Sequence, residues 1–234
     1  MGSLYLIPTT LGSFDTNSRV LPSYNTNIIH GLNTFIVEQV RTARRFISSL
    51  KHPTAIDEMV FMELNKHTDE SDVYSYLDCI KSGKSVGLLS EAGTPCIADP
   101  GSLVVKIAQE RGIKVIPLVG PNSIILALMA SGFNGQNFTF HGYLPVDKNQ
   151  LAKKLKEIES NSSGANQTQI FIETPYRNNQ MLSVIKSTCS PQTMLCVATN
   201  LTLTSESILT YSIANWKKVK LDINKKPSVF LIYR

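Results

Sequence analysis

Short apolar runs and amphipathic stretches alternate along the first half of the chain. Residues 4–7, 28–29 and 35–37 have the length and β-branched content of buried strands. Residues 39–50 put Val40, Ala43, Phe46, Ile47 and Leu50 on one side at helical spacing and Arg41, Arg44 and Arg45 largely on another, which predicts an amphipathic helix with a basic face. Residues 71–82 carry Val73, Tyr76, Leu77 and Ile80 at the same spacing, and Gly83 is the expected stop. Then the order becomes regular: strand 86–89, helix 102–110 closed by Gly112, strand 113–119, helix 123–130 closed by Gly132. That alternation predicts a parallel α/β sheet with right-handed crossovers.

The second half has a different texture. Residues 138–143 predict a strand, 151–158 a charged surface helix, and the polar run 161–168 (NSSGANQT) a loop. Strand 169–172 is followed by helix 175–186, with Thr174 as N-cap and Pro175 in the first position. Residues 194–198, 207–211 and 228–233 then predict strands joined by short turns, an α+β arrangement with a mixed sheet. The expectation is an α/β chain of two domains, 1–119 and 120–234. Phe138 and Phe140 share one face of their strand by alternation and are read as core.

Composition adds bounds. With 234 residues, 42% of them hydrophobic, the chain can bury a substantial core. A formal net charge of +5 gives a mild preference for an anionic partner such as nucleic acid. Cys79, Cys96, Cys189 and Cys196 lack CxxC or metal-ligand spacing, so no metal site and no disulfide framework is expected. His30, His52, His67 and His141 form no sequence cluster. The N-terminus lacks a signal-peptide pattern, and the most apolar stretch, 113–130, is interrupted by Lys114, Pro117, Gly120, Pro121 and Asn122. No membrane span and a cytoplasmic location are expected.

Candidate chemistry concentrates in two loops. Residues 90–101 (SEAGTPCIADPG) follow a predicted buried strand and carry two glycines, two prolines, Glu91 and Asp99. Ligands of open α/β sheets gather beyond the carboxyl ends of strands, where glycine lets the backbone approach closely. The second loop, 119–123 (VGPNS), follows the next strand and opens a helix whose first N–H groups can bind a polar group. A plain tight turn accounts for either loop alone; two in succession predict a ligand cleft. Neither carries the dinucleotide or nucleoside-triphosphate fingerprint.

GLLSEAGTPCIADPG, VIPLVGPNSI, FTFHGYLP, ETPYR at 173–177 and the opening LYLIPTTLGSFD follow one another in the order and spacing of the tetrapyrrole-methylase superfamily. They most resemble its 16S rRNA (cytidine 2′-O)-methyltransferase branch. That resemblance implies a two-domain methyltransferase with S-adenosylmethionine as cofactor, folded into a cleft between the domains. The implied cofactor contacts are Leu11, the backbone of Gly93, Thr94 and Ile97, then Ser123, Ile124, Phe171, Ala198 and Pro227. Glu91 and Glu173 are implied to orient the acceptor or take its proton, unless they cap a helix or pair with Arg177, and Arg177 to contact phosphate or the cofactor carboxylate. Ribosomal RNA or the small ribosomal subunit is the implied partner, and a homodimer the implied assembly. VEQVRTARRF stands where the branch has an AEDTR-like segment, placing Arg41, Arg44 and Arg45 as phosphate contacts. The chain departs from the branch at VATNLTLTSES, where Thr199, Asn200 and Leu203 replace an arginine, a glutamate and a lysine. The alternatives are a tetrapyrrole acceptor and a noncatalytic cofactor-binding module.

Overall fold

The computed structural model describes residues 2–65 and 68–234, with only the backbone of Glu70; His67 lies outside the described residues. The chain divides into two compact units, Met1–Asn122 and Ser123–Arg234.

The first unit is built on five parallel strands, β1 (Ser3–Ile7), β2 (Thr34–Val37), β3 (Val60–Glu63), β4 (Val86–Leu89) and β5 (Lys114–Pro117), in the order β3-β2-β4-β1-β5. Its helices are α1 (Asn17–Val20), α2 (Ser23–His30), α3 (Val40–Ser49), α4 (Glu70–Tyr76), α5 (Asp78–Lys81) and α6 (Ser102–Glu110). The strands are continuous apolar runs because both faces of the sheet are covered. On one face Leu4, Ile36, Val86 and Leu88 pack with Val73, Leu77, Ile80, Val104 and Ile107. On the other, Ile7, Phe35, Val37 and Leu89 pack with Ile29, Ala43, Phe46 and Ile47. Gly87 leaves room at the centre of the sheet: a Cβ there would stand 2.6 Å from Ile7 Cδ1 and 2.9 Å from Phe35 Cδ1.

The second unit holds a mixed sheet, β6 (Phe138–Tyr143), β7 (Thr168–Ile172), β8 (Met194–Thr199), β9 (Ser207–Ser212) and β10 (Ser228–Tyr233), in the order β6-β7-β10-β8-β9. Only β6 and β7 pair in parallel; β10 and β8 pair antiparallel with their neighbours. Phe171, Leu195, Val197, Phe230 and Ile232 point to one face. There they meet residues of α8 (Lys148–Ala165), α9 (Asn178–Thr188) and α10 (Ile213–Trp216). The remaining helix, α7 (Ser123–Ser131), packs on β8, β9 and β10, and the Thr210 hydroxyl donates to Ser131 O at 3.1 Å.

Several sequence expectations need correction. Residues 28–29 end a helix rather than forming a strand, since the buried positions Asn25 and Ile29 stand one helical turn apart. The helix at 71–82 breaks at Leu77 into α4 and α5. The supposed loop 161–168 is mostly the last turns of α8. Ser162 is fully buried there and its hydroxyl accepts the Arg234 N–H at 2.9 Å, while Asn166 closes the helix in the left-handed region at φ 50°. Thr174 makes no side-chain cap; Pro175–Arg177 form a 3-10 turn and α9 starts at Asn178. Strand 113–119 is shortened to Lys114–Pro117, and β3 was not foreseen. Phe138 is 38% exposed, because β6 is an edge strand, and alternation along a chain carries no information about edges.

The helix read as surface also buries a carboxylate. Glu159, 6% exposed, accepts the Ser190 N–H at 2.7 Å and the Thr193 hydroxyl, tying α8 to the turn before β8. Removing it strands the buried Thr193 hydroxyl and a half-buried N–H, and an unsatisfied buried group costs about 1–3 kcal/mol. Glu159→Ala is expected to destabilise the protein by roughly that amount in denaturant melts, and an unchanged midpoint would refute the tie.

Candidate functional site

The carboxyl ends of β4, β1 and β5, neighbours running to one edge of the first sheet, adjoin, and the loops leaving them are bonded to one another. Thr9 N–H donates to Gly93 O at 3.0 Å and Gly93 N–H to Thr10 O at 3.3 Å. The Thr9 hydroxyl donates to Ser90 O at 3.2 Å, and the Ser90 hydroxyl to Gly93 O. Asn122 Nδ2 donates to the Thr94 hydroxyl at 2.7 Å, and Asn25 Nδ2 to Val119 O at 2.7 Å. Gly93 sits at φ +75°, and a Cβ on it would stand 2.8 Å from Leu11 Cδ2 and 2.9 Å from Pro121 O. Glycine is required there by both conformation and space.

Beyond Gly93 the loop passes through two more left-handed residues, Cys96 (φ 68°) and Ala98 (φ 61°). Asp99 Oδ1 holds this shape by accepting the Cys96 and Gly101 N–H groups, both at 2.8 Å. Such strained backbone persists only where the surroundings over-determine it, and it clusters at ligand sites. Ile97 and Val119 at these strand ends are 48% and 75% exposed. A backbone-walled loop with bare apolar side chains suits a ligand that is part apolar, such as an adenosine, held by main-chain groups. Four of the nine expected cofactor residues, Leu11, Gly93, Thr94 and Ile97, thus lie in or beside one loop system.

The other five belong to the second unit. Ser123 and Ile124 open α7. Phe171 is wholly buried, its ring stacked on Phe230 at 5.7 Å, so its side chain faces the core. Ala198 is buried in β8, and Pro227 is exposed with its carbonyl accepting the Asn200 N–H at 2.9 Å. At the departure from the family pattern, Thr199 is buried with its hydroxyl 3.2 Å from that of Ser228, and Asn200 takes φ 52°. Glu173, 7% exposed, uses one carboxylate oxygen on Arg177 (2.9 Å) and the other on the Thr174 N–H (2.7 Å). Both oxygens are engaged, one with the Arg177 guanidinium and one with the neighbouring Thr174 N–H. Of the basic helix face, Arg44 is taken up by Asp57 at 3.1 Å and by the ring of Phe61, while Arg41 and Arg45 stay exposed. His141 bonds Gln169 across β6 and β7 at 2.7 Å, and the rings of His30 and His52 meet edge-on at 5.4 Å.

A carboxylate that the sequence did not single out is Glu38, directly after β2. Burial, then the charges of Asp99 and Glu91, push its carboxyl up to about 7. Glu91 is raised by burial, with the Thr42 hydroxyl and the Gln39 backbone acting to lower it. Burial raises Asp99 as well, against its two N–H donors. Three carboxylates thus follow β2 and β4, and the charges of Asp99 and Glu91 add to burial in holding the proton on Glu38 near neutrality. The only signal in the sequence was a lone acid in VEQVR. Folded Glu38 keeps its proton up to about pH 7, while an unfolded glutamate loses it near 4.3. Its contribution to stability is thus present below that lower value and lost as pH rises through 7. Glu38→Gln is expected to raise the thermal midpoint relative to wild type more at pH 8 than at pH 5, and a pH-independent difference would contradict the assignment.

Comparison with known proteins places this architecture. A family model described as tetrapyrrole (corrin/porphyrin) methylases matches residues 33–216. The Ribosomal RNA small subunit methyltransferase I of Vibrio cholerae is 32% identical over 206 residues, covering 88% of this chain and 67% of its own. That of Bacillus subtilis is 33% identical over 186 residues, covering 79% of this chain and 59% of its own. Among solved structures, the methyltransferase CobJ matches with a TM-score of 0.65 at 13% identity, over 100% of this chain and 95% of that one. A uroporphyrin-III C-methyltransferase from Thermus thermophilus, complexed with S-adenosyl homocysteine, matches with a TM-score of 0.56 at 12% identity, over 99% and 92%. The fold and the sequence agree, and this chain belongs to the tetrapyrrole (corrin/porphyrin) methylase family.

Proposed function

We propose that this S-adenosylmethionine-dependent methyltransferase modifies ribosomal RNA of the small subunit, at a ribose 2′-hydroxyl of the 16S molecule. The observation that carries the reading is the match over most of the chain to relatives named for that ribosomal substrate. Structures of tetrapyrrole enzymes share the fold at 12–14% identity, which says nothing about the acceptor.

Bound S-adenosylmethionine supplies a methyl group on a sulfonium, a centre that needs no further activation. The chain's task is alignment and management of one proton. The main chain of Gly93–Ile97 with Leu11 would hold the cofactor on the first unit; Ser123, Ile124, Ala198 and Pro227, the other residues the family resemblance implies, belong to the second. Glu38, in the deprotonated form it reaches as pH rises through about 7, is the group suited to take the acceptor hydroxyl's proton, with Glu91 and Asp99 raising its basicity. Arg177, braced by Glu173, meets a phosphate or the cofactor carboxylate. Such a substrate places the protein in the cytoplasm; among the described residues no helix is long and apolar enough to cross a membrane.

The test is transfer of labelled methyl to small ribosomal subunits from a strain lacking the corresponding gene, followed by mapping of the nucleotide. Label in a ribose of the 16S RNA is expected; cofactor binding without transfer to any RNA fraction would leave a binding module instead. Gly93→Ala, run alongside, is expected to weaken cofactor binding by about an order of magnitude, roughly 1.4 kcal/mol, in calorimetry. We further infer a homodimer, for which Ile125 and Met129, exposed one turn apart on α7, offer an apolar stripe. Light scattering is expected to give twice the chain's 25.9 kDa, and a particle of that single mass would exclude the dimer.

A further inference from the structure

The chain's positive charge is not spread evenly. Residues 217–226 (KKVKLDINKK) contain five of its 23 lysines and arginines and one of its 18 acidic residues, so this short segment holds four of the five net charges. The rest of the molecule is close to neutral. The segment has almost no regular secondary structure, yet it is firmly tied down. Ile223 is fully buried, and Val219 and Leu221 pack on the core beside Trp216. Asn179 donates to Asp222 at 2.8 Å and accepts the Ile223 N–H at 2.9 Å; Asn178, fully buried, donates to Lys226 O at 2.6 Å. Lys225 N–H donates to Pro175 O at 2.9 Å, with Lys225 itself at φ 59°. Apolar side chains point in, while Lys217, Lys218, Lys220, Lys225 and Lys226 are all exposed.

Two neighbours extend this basic edge. An open groove of about 460 Å³ runs between α9 and the segment, lined by Leu182, Ser183, Lys186, Lys217 and Leu221 among others. Lys186 is anchored there through Val219 O at 3.2 Å. At the other end Lys225 lies 5.8 Å above the ring of Tyr176, an aromatic 74% exposed inside ETPYR. Lysines on a prearranged backbone, next to an open aromatic face, are what a single-stranded polyanion with stackable bases recognises.

We propose that residues 217–226, with Lys186 and Tyr176, form a docking surface for the phosphate backbone of the substrate RNA. The surface delivers RNA to the ETPYR end of the second sheet. The inference rests on the RNA reading above, and it concerns affinity rather than the methyl transfer itself. Phosphate contacts of this kind raise affinity in a salt-dependent way and leave the chemical step untouched.

The test is the triple variant Lys217→Gln/Lys218→Gln/Lys220→Gln, with the corresponding triple arginine variant and Lys225→Gln as companions. Affinity for 16S RNA is measured against salt, with KM and kcat for methyl transfer and the Kd for S-adenosylmethionine. The glutamine triple is expected to raise KM about tenfold or more near 0.15 M salt. Its slope of log affinity against log salt should fall by about 0.7–0.9 per lysine removed. The kcat and cofactor Kd should hold, and the arginine triple should behave as wild type. Wild-type RNA affinity and slope in the glutamine triple would overturn the proposal, as would tighter wild-type binding to phosphatidylserine vesicles or to polyglutamate than to RNA. Lysine-dependent RNA binding by a wild-type protein that transfers no methyl would sustain this surface and sink the methylation reading instead.

Discussion

Gly93 sits where two strands of the first sheet end, in a left-handed conformation and within contact distance of Leu11 and Pro121. Its N–H and C=O both bond to the loop that follows β1. No other residue type fits the space without moving a neighbour, so the approach of three loops, after β1, β4 and β5, depends on a missing side chain. Everything the first unit offers a ligand hangs on that closure. It sets the path through Cys96 and Ala98, the anchoring of that path by Asp99, and the exposure of Ile97.

The same closure sets the electrostatics. Asp99 is drawn inward to hold the turn, and Glu91 stands on the same loop. Glu38 emerges from β2 between charges it cannot escape. A carboxyl near neutrality is the by-product of building a rigid loop out of acid-to-amide contacts, and the chemistry proposed for it uses that by-product. In the second unit the logic differs. Glu173 spends both oxygens locally on Thr174 and Arg177, and the buried amide of Asn178 holds the lysine segment beside them. Basic groups there are fixed by neighbours in sequence and by the Asn178 and Asn179 side chains, which bond across 43 to 48 residues.

How much could be read from residues alone follows from how local each signal is. Strands β4 and β10 and helix α6 were legible because apolar runs and terminating glycines are properties of short windows. The loop 90–101 stood out for the same reason, and the order of motifs carried the family. Polar segments misled where distant atoms overrode them: the last turns of α8 are kept helical by the Ser162 contact with Arg234, and α2 is helical because Asn25 and Ile29 face the core.

The sequence by itself determined the alternation of elements, the glycine and proline positions of the ligand loop, the concentration of lysines at 217–226 and the methylase family. These are encoded in types and spacings of residues close along the chain. Only the tertiary structure decided that Phe138 lies at a sheet edge, that Glu173 is occupied by Arg177 and Thr174, that Glu38 is the carboxyl held near neutrality, and that a chain of lysines without regular structure is a fixed surface. Each of those outcomes depends on desolvation or on partners brought in from afar, and neither has a counterpart in a local pattern.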